Sequence, residues 1–143
     1  MRLLRRLFLN ILCWMTIVVV RILLWITKHQ RIRAWLVRPC APDPQPERRG
    51  AVGNVVRAIR RTARLMPGAT CLTQSIACQA VLSWRGIPSV IEVGVMKDKD
   101  TGDLRAHAWL VWNGRVVLEG DDDTPETFTK MTSLPTPTLP ARP

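Results

Sequence analysis

The feature that most restricts how this chain can fold is a long apolar run near its N-terminus. Residues 7–27 read LFLNILCWMTIVVVRILLWIT, interrupted only by Asn10 and Arg21. As a helix the run would be roughly 30 Å long, about the thickness of the hydrocarbon core of a bilayer. Three interpretations fit: a helix that spans or lies on a membrane, a helix packed on this protein or on a partner, and a cleaved signal peptide. The third is disfavoured because no small-residue cleavage site follows.

The net charge of +10 is concentrated in the first half of the 143 residues. Residues 1–66 contain fourteen Lys and Arg against two acidic residues, whereas residues 67–143 contain seven against nine. The positive charge flanks apolar sequence and lacks the interleaved aromatic residues and glycines typical of nucleic-acid binding. We therefore expect contact with a membrane through residues 7–27, or with another protein, and no binding of nucleic acid. The length suits one compact domain.

The four cysteines are spaced in a way that predicts neither a metal site nor a disulfide framework. They form no CxxC pair and no Cys/His set that would hold zinc. Cys13 falls in the apolar run and Cys78 on a buried helix face, where disulfide pairing is not expected. We therefore predict a protein of the reducing cytoplasm, with any membrane association due to the apolar run, and no cofactor.

Proline content and periodicity divide the chain into segments. The stretch PCAPDPQPERRG is rich in proline and charge, as linkers are, and residues 53–66 form an amphipathic pattern that stops at Pro67-Gly68. Near the C-terminus no periodicity is left, which predicts disorder. The predicted organisation is an N-terminal helical segment, a linker, a catalytic domain and a disordered tail, at residues 1–38, 39–50, 51–130 and 131–143.

A candidate nucleophile begins the next helix. The segment PGATC leads into a helical pattern that runs to Trp84, with Thr70 as the predicted N-cap and Cys71 in the first turn. There the helix dipole and unpaired backbone N–H groups favour a thiolate and offer donors to an oxyanion. The alternative is that Cys71 is an ordinary buried cysteine. Cys78, two turns deeper, is predicted to lie in the core.

The second half of the chain predicts an antiparallel sheet that carries a candidate base. Residues 90–95, 106–112 and 115–119 read as strands, with a turn near residues 98–103 and a hairpin at Asn113-Gly114. The fold class is therefore α+β. Of the two histidines, His29 lies among basic residues, which leaves His107 as base if this is a Cys/His enzyme. A structural strand histidine is the alternative.

The third catalytic member depends on the register of the hairpin. A two-residue turn would separate Glu119 from His107, whereas a three-residue loop with Gly114 as a bulge would place Glu119 directly across from His107. We favour that loop, with Glu119 as the acid and Asp121 as the alternative. The other acids are predicted to be a solvated edge or a structural strand residue: Asp122, Asp123, Glu126 and Glu92.

These motifs resemble the lasso-peptide leader peptidases, the transglutaminase-like B proteins. The similarity covers residues 55–121 and rests on ATCLTQSIACQAVLSWRGIP followed by AHAWLVWNGRVVLEGD. It implies a transglutaminase-like or papain-like core, in which a helix bearing Cys71 packs on a sheet bearing His107 and an acid. The implied acid position is Glu119, where the family commonly carries Asp.

The resemblance also implies the substrate and the partners. No leader-binding domain precedes Val55, as in the split form of the family. A split enzyme would remove the leader from a precursor peptide with the help of a separate leader-recognition protein, and would pass the product to an ATP-dependent cyclase. In this form the N-terminal apolar helix is expected to serve docking. Two alternatives stay open: a transglutaminase-like acyltransferase, and a non-catalytic membrane adaptor.

Overall fold

In the part of the chain that the structure describes, four α-helices precede a four-stranded antiparallel sheet, which confirms the predicted α+β class. The computed structural model describes residues 1–41, 46–119 and 127–139. A short 3₁₀ turn, Pro46–Arg48, directly precedes the third helix. The helices and strands are α1 (Arg2–Ile26), α2 (His29–Leu36), α3 (Arg49–Ala63), α4 (Cys71–Trp84), β1 (Val90–Lys97), β2 (Leu104–Trp112), β3 (Arg115–Leu118) and β4 (Thr129–Pro135).

The core lies between the helices and one face of the sheet. α4 is buried along most of its length, and α1, α3 and the sheet pack around it. The helices and the sheet contribute to one continuous apolar cluster, which includes Cys13, Ile59, Cys78, Ile91 and Leu110. α1 and α2 therefore belong to the same packed unit as the helix that carries Cys71. The predicted burial of Cys78 is confirmed, since its side chain is fully inaccessible.

The sheet has the strand order β3-β2-β1-β4. β1 and β2 pair without interruption, with Ile91 opposite Leu110 and Gly94 opposite His107. On its other side β1 pairs with β4, with Ile91 opposite Leu134. Because side chains alternate along a strand, Ala108 and Leu110 face the helices, whereas His107 and Trp109 project to the opposite face.

The hairpin between β2 and β3 differs from the predicted three-residue loop. Trp112 pairs with Arg115, so Asn113 and Gly114 form a two-residue turn, and both have positive φ, at 50° and 72°. Such a turn suits the right-handed twist of the flanking strands. The bulge lies further along, between Leu110 and Val111, and Leu110 pairs with Leu118. The predicted register is therefore wrong.

The C-terminal segment is ordered where disorder was predicted. Residues 129–135 form the edge strand β4. Thr136 then accepts from and donates to the backbone of Ser89, and Thr138 bridges to Cys40. The prediction of a disordered tail is wrong for residues 131–139, and residues 140–143 lie outside the described residues.

Candidate active site

The N-terminus of α4 is built as the sequence predicts. Thr70 is the N-cap, and its Oγ1 accepts a hydrogen bond from the backbone N–H of Thr73 at 3.3 Å. Cys71 is the first residue of the helix and is half-buried. Its backbone N–H therefore belongs to the first turn, where the donors lack partners within the helix. The predicted helix, with its cap, start and end at Trp84, is confirmed.

The loop that leads into α4 is held by α1. The guanidinium of Arg21 donates to the carbonyl oxygen of Pro67. Gly68 follows with φ of 76°, and a Cβ there would lie 2.5 Å from Arg21 Nη1. A glycine suits this position because it adopts positive φ without strain and leaves room for the guanidinium. α1 thus holds the loop that leads into Cys71.

Two contacts define how α4 lies on the sheet. Ser75 Oγ donates to the carbonyl oxygen of Ala108 at 3.5 Å, and Gln79 Nε2 donates to that of Ser89 at 3.2 Å. The helix therefore runs toward the end of the sheet where β1 begins, and its N-terminus points toward the first half of β2. Cys71 precedes Ser75 by four residues and so shares its face of the helix. This places Cys71 near the level of His107 along β2.

His107 is buried in an aromatic group on the outer face of the sheet. Its side chain is 7% exposed. The imidazole stacks on Trp109 with ring centroids 6.0 Å apart, and packs against Phe128 at 5.1 Å. The seam between α4 and the sheet is lined by Ala108 and Leu110, so the structure brings the α4 N-terminus and the β2 backbone together while His107 projects to the other face.

The position of Trp109 is fixed by its neighbours on β1. Its Nε1 donates to Glu92 Oε2 at 3.0 Å, and Glu92 also forms an ion pair with Lys130. A Cβ on Gly94 would lie 2.8 Å from Trp109 Cη2, so only glycine leaves space for this ring. Glu92, predicted to be structural, therefore orients the ring on which His107 stacks. Sequence analysis missed Gly94 and Phe128. The glycine inside a strand was the available signal, since it often marks a close approach.

The register of β3 does not place Glu119 opposite His107. Glu119 is exposed and directly follows β3. Because Leu118 pairs with Leu110, Glu119 comes at the level of Trp109 and not of His107. The placement of Glu119 directly opposite His107 is therefore wrong. The alternative acid Asp121 lies outside the described residues, as do Asp122, Asp123 and Glu126.

Burial distinguishes Cys71 from the other cysteines, all four of which lie in described ranges. Cys13, Cys40 and Cys78 are buried, whereas Cys71 is partly exposed. Burial raises the pKa of Cys13 to about 11 and also raises the pKa of Cys40. For Cys78, burial and then the neighbouring Cys13 raise the pKa of the thiol. Of the four thiols, that of Cys71 is the one placed to meet a substrate.

Other parts of the structure do not add to this site. His29 begins α2 and is half-buried. Within the described ranges, His, Cys, Asp and Glu form no group of three or more that could hold a metal ion. A cavity of about 300 Å³ is lined by Pro88, Val111 and Pro135, at the opposite end of the sheet from Cys71.

A cysteine at the start of a helix that packs on an antiparallel sheet is an arrangement suited to thiol-dependent acyl chemistry. The family model of the transglutaminase-like superfamily matches residues 14–133, most of the chain, which therefore belongs to this superfamily. Cysteine peptidases and acyltransferases both occur in it. Searches of curated proteins and of solved structures found no match. The predicted transglutaminase-like fold is confirmed, and the lasso-peptide leader peptidase subfamily stays a prediction.

Proposed function

We propose that this protein is a cysteine peptidase that removes the leader from a lasso-peptide precursor, with Cys71 as nucleophile and His107 as base. The observation that carries the proposal is the placement of Cys71. It is the partly exposed cysteine of the chain and begins a capped helix, in a superfamily that includes cysteine peptidases. The leader-peptidase assignment rests on the resemblance of the sequence around Cys71 and His107.

In this mechanism the Cys71 thiolate attacks the carbonyl carbon of the last leader residue. The scissile C–N bond breaks, and the departing amine of the core peptide takes a proton from His107. Water then attacks the thioester and gives a proton to His107. The C–S bond breaks, which releases the leader carboxylate and restores the Cys71 thiolate. Backbone N–H groups of the first turn of α4 would stabilise the oxyanion.

In this mechanism the Cys71 thiol and the His107 imidazole have to meet around the edge of β2, because His107 projects to the face of the sheet opposite α4. β3 pairs with β2 at residues 110–112, so His107 lies on β2 before the stretch that β3 covers. The N-terminus of α4 points toward the same part of β2, because Ser75 contacts Ala108. We propose that Cys71 and His107 meet across this edge.

The third member of the site is proposed to be Glu119, with Asp121 as the alternative. Glu119 is exposed beside this edge, at the level of Trp109. Separate Glu119→Gln and Asp121→Asn variants distinguish the two acids. The variant that lowers kcat and shifts the pH dependence of kcat identifies the group that orients His107, because such a group acts through the imidazole.

The partners proposed from the resemblance are a separate leader-recognition protein and an ATP-dependent cyclase. The described helices and sheet form one packed unit around α4. Recognition in trans would raise the local concentration of the precursor at Cys71. The amine freed by cleavage is the group that a cyclase would then join to a carboxylate.

Mass spectrometry of a lasso precursor incubated with this protein and a leader-recognition partner tests the proposal. We expect leader release by wild type and a loss of at least roughly a thousandfold in Cys71→Ala and in His107→Ala. Cys40→Ala and His29→Ala are matched controls, because one removes a buried thiol and the other an imidazole on α2. Both should retain activity.

The same experiment separates the alternatives. An acyltransferase would yield a product whose mass includes an added amine in place of water. Cleavage that is unaffected by Cys71→Ala, or absent in wild type with the partner present, would contradict the peptidase proposal and favour the adaptor.

A further inference from the structure

α1 has two apolar stripes on opposite sides, and only one of them is covered. The buried stripe includes Leu9, Cys13, Ile17 and Val20 and packs against α3 and α4. On the other side, ten large apolar side chains are between 38% and 83% exposed. This exposed apolar stripe consists of Leu4, Leu7, Phe8, Ile11, Trp14, Met15, Val19, Ile22, Trp25 and Ile26.

The width of the exposed apolar stripe indicates what kind of surface covers it. At 100° per residue its members span an arc of roughly 140°, and no polar residue falls within that arc. A coiled-coil seam is narrower and is flanked by charged positions that select the partner helix. Here the flanks of any such seam would be Leu7, Trp14 and Val19. A uniformly apolar arc of this width suits lipid better than a second helix.

The charge around the exposed apolar stripe is of one sign. Residues 1–38 contain eight Lys and Arg and no Asp or Glu. Arg5 and Arg6 are exposed at one end of the stripe, and Lys28 and Arg31 are exposed just beyond the other. Basic residues at both ends of an apolar surface attract anionic lipid headgroups. The exposed Trp25 is also suited to the boundary between headgroups and acyl chains.

The buried stripe determines how α1 can meet a bilayer. Leu3–Ile26 is long and apolar enough to cross a membrane, with 28% of its most apolar window buried. Crossing would pull Cys13, Ile17 and Val20, which are fully inaccessible, out of the core. Lying flat leaves these contacts intact and buries only the exposed side. The packing therefore favours a helix in the plane of the membrane.

We propose that α1 docks this protein on an anionic lipid bilayer, with the exposed apolar stripe inserted below the headgroups and the rest of the domain on the aqueous side. The helix, about 37 Å long, would lie parallel to the surface at a depth of about 5–10 Å. The proposal is independent of the catalytic role of Cys71.

Vesicle co-sedimentation of the full chain tests this docking. The vesicles contain phosphatidylcholine alone or with about 30% phosphatidylglycerol, at about 0.1 M and 0.5 M salt. We expect binding to the anionic vesicles that falls at least fivefold at high salt or without phosphatidylglycerol. A Phe8→Glu/Ile22→Glu variant should bind roughly tenfold more weakly. The matched control is Leu104→Glu/Met131→Glu, which makes the same change at exposed positions of the sheet and should bind within twofold of wild type.

Two further measurements identify the mode of binding. Extraction with alkaline carbonate should release the protein, because a helix in the interface is not held as a spanning helix is. Brominated lipids should quench Trp fluorescence in wild type and less so in Trp25→Phe, a change that adds no charge.

Several outcomes would overturn the proposal. Resistance to carbonate would indicate that α1 spans the bilayer. Equal binding by wild type and Phe8→Glu/Ile22→Glu would exclude the exposed apolar stripe as the docking surface. Absence of vesicle binding, together with a dimer that Phe8→Glu/Ile22→Glu abolishes in size-exclusion chromatography, would assign the stripe to a second copy of this chain. Absence of both would leave a different protein partner as its occupant.

Discussion

Gln79 is expected to be one of the most sensitive positions for stability outside the candidate site. Its side chain is fully buried and connects its own helix to three other elements of the fold. Oε1 accepts from Arg33 Nε at 3.0 Å, and Nε2 donates to the carbonyl oxygens of Ser89 at 3.2 Å and Leu134 at 2.9 Å. Gln79 thus joins α4 to α2, to the start of β1 and to the edge strand β4.

Gln79→Leu keeps the approximate volume and removes all three hydrogen bonds. The carbonyl of Ser89 keeps other donors, because the backbone N–H and the hydroxyl of Thr136 also bond to it. Arg33 keeps its bond to the carbonyl of Pro135 at 2.7 Å. The main losses are the bond to Leu134 and the charge-assisted bond from Arg33, at about 1–2 kcal/mol each. We expect the free energy of unfolding to fall by about 3 kcal/mol.

Reversible urea unfolding followed by circular dichroism measures this change. Gln74→Leu on the same helix is the matched control, because Gln74 is half-buried and makes one hydrogen bond, to the carbonyl of Ala69. It should cost no more than about 1 kcal/mol. Hydrogen exchange should also speed up in β4 of Gln79→Leu. A Gln79→Leu protein within about 0.5 kcal/mol of wild type would refute the reasoning.

Two further predictions concern packing and pH. Gly94→Ala should lower the stability by about 1–3 kcal/mol in thermal unfolding, because its Cβ would lie 2.8 Å from Trp109 Cη2, whereas Gly50→Ala, with nothing within 4 Å, should be neutral. Burial raises the pKa of the Cys13 thiol from 9.0 to about 11 on folding. The stability that this buried neutral thiol contributes is therefore fully present below pH 9 and is lost as the pH rises toward 11. At about pH 10.5 this contribution has fallen by about 2 kcal/mol. Between about pH 8 and about pH 10.5 the free energy of unfolding in urea should therefore fall less in Cys13→Ala than in wild type, and an equal fall would contradict the role of Cys13.

The elements that could be predicted from sequence are those fixed by local chemistry. The threonine cap, the helix from Cys71 to Trp84 and the strand predicted at residues 90–95 follow from capping, periodicity and turn residues that lie close together in the chain. β4 escaped prediction because it is an edge strand. Most of its side chains are exposed on both faces, so no apolar alternation appears, and backbone bonds to β1 hold it. Those bonds are set by residues some forty positions away.

The site was only partly predictable for a related reason. A candidate nucleophile can be chosen from residue type and local context, and Cys71 begins α4 as predicted. Which side chains face each other depends on register, and the two-residue turn together with the bulge between Leu110 and Val111 puts Glu119 at the level of Trp109, two residues from His107. A one-residue shift exchanges the two faces of a strand, so no argument from spacing alone could have fixed the acid.

The ambiguity of the apolar run has the same origin. Hydropathy counts both stripes of α1 together, so a spanning helix and a helix half-covered by its own domain give the same sequence signal. The structure separates them by showing which stripe is already occupied. It also shows that α1 holds the loop before Cys71 through Arg21 and Pro67. The helix that presents an uncovered apolar surface is therefore also the helix that holds the loop before the candidate nucleophile.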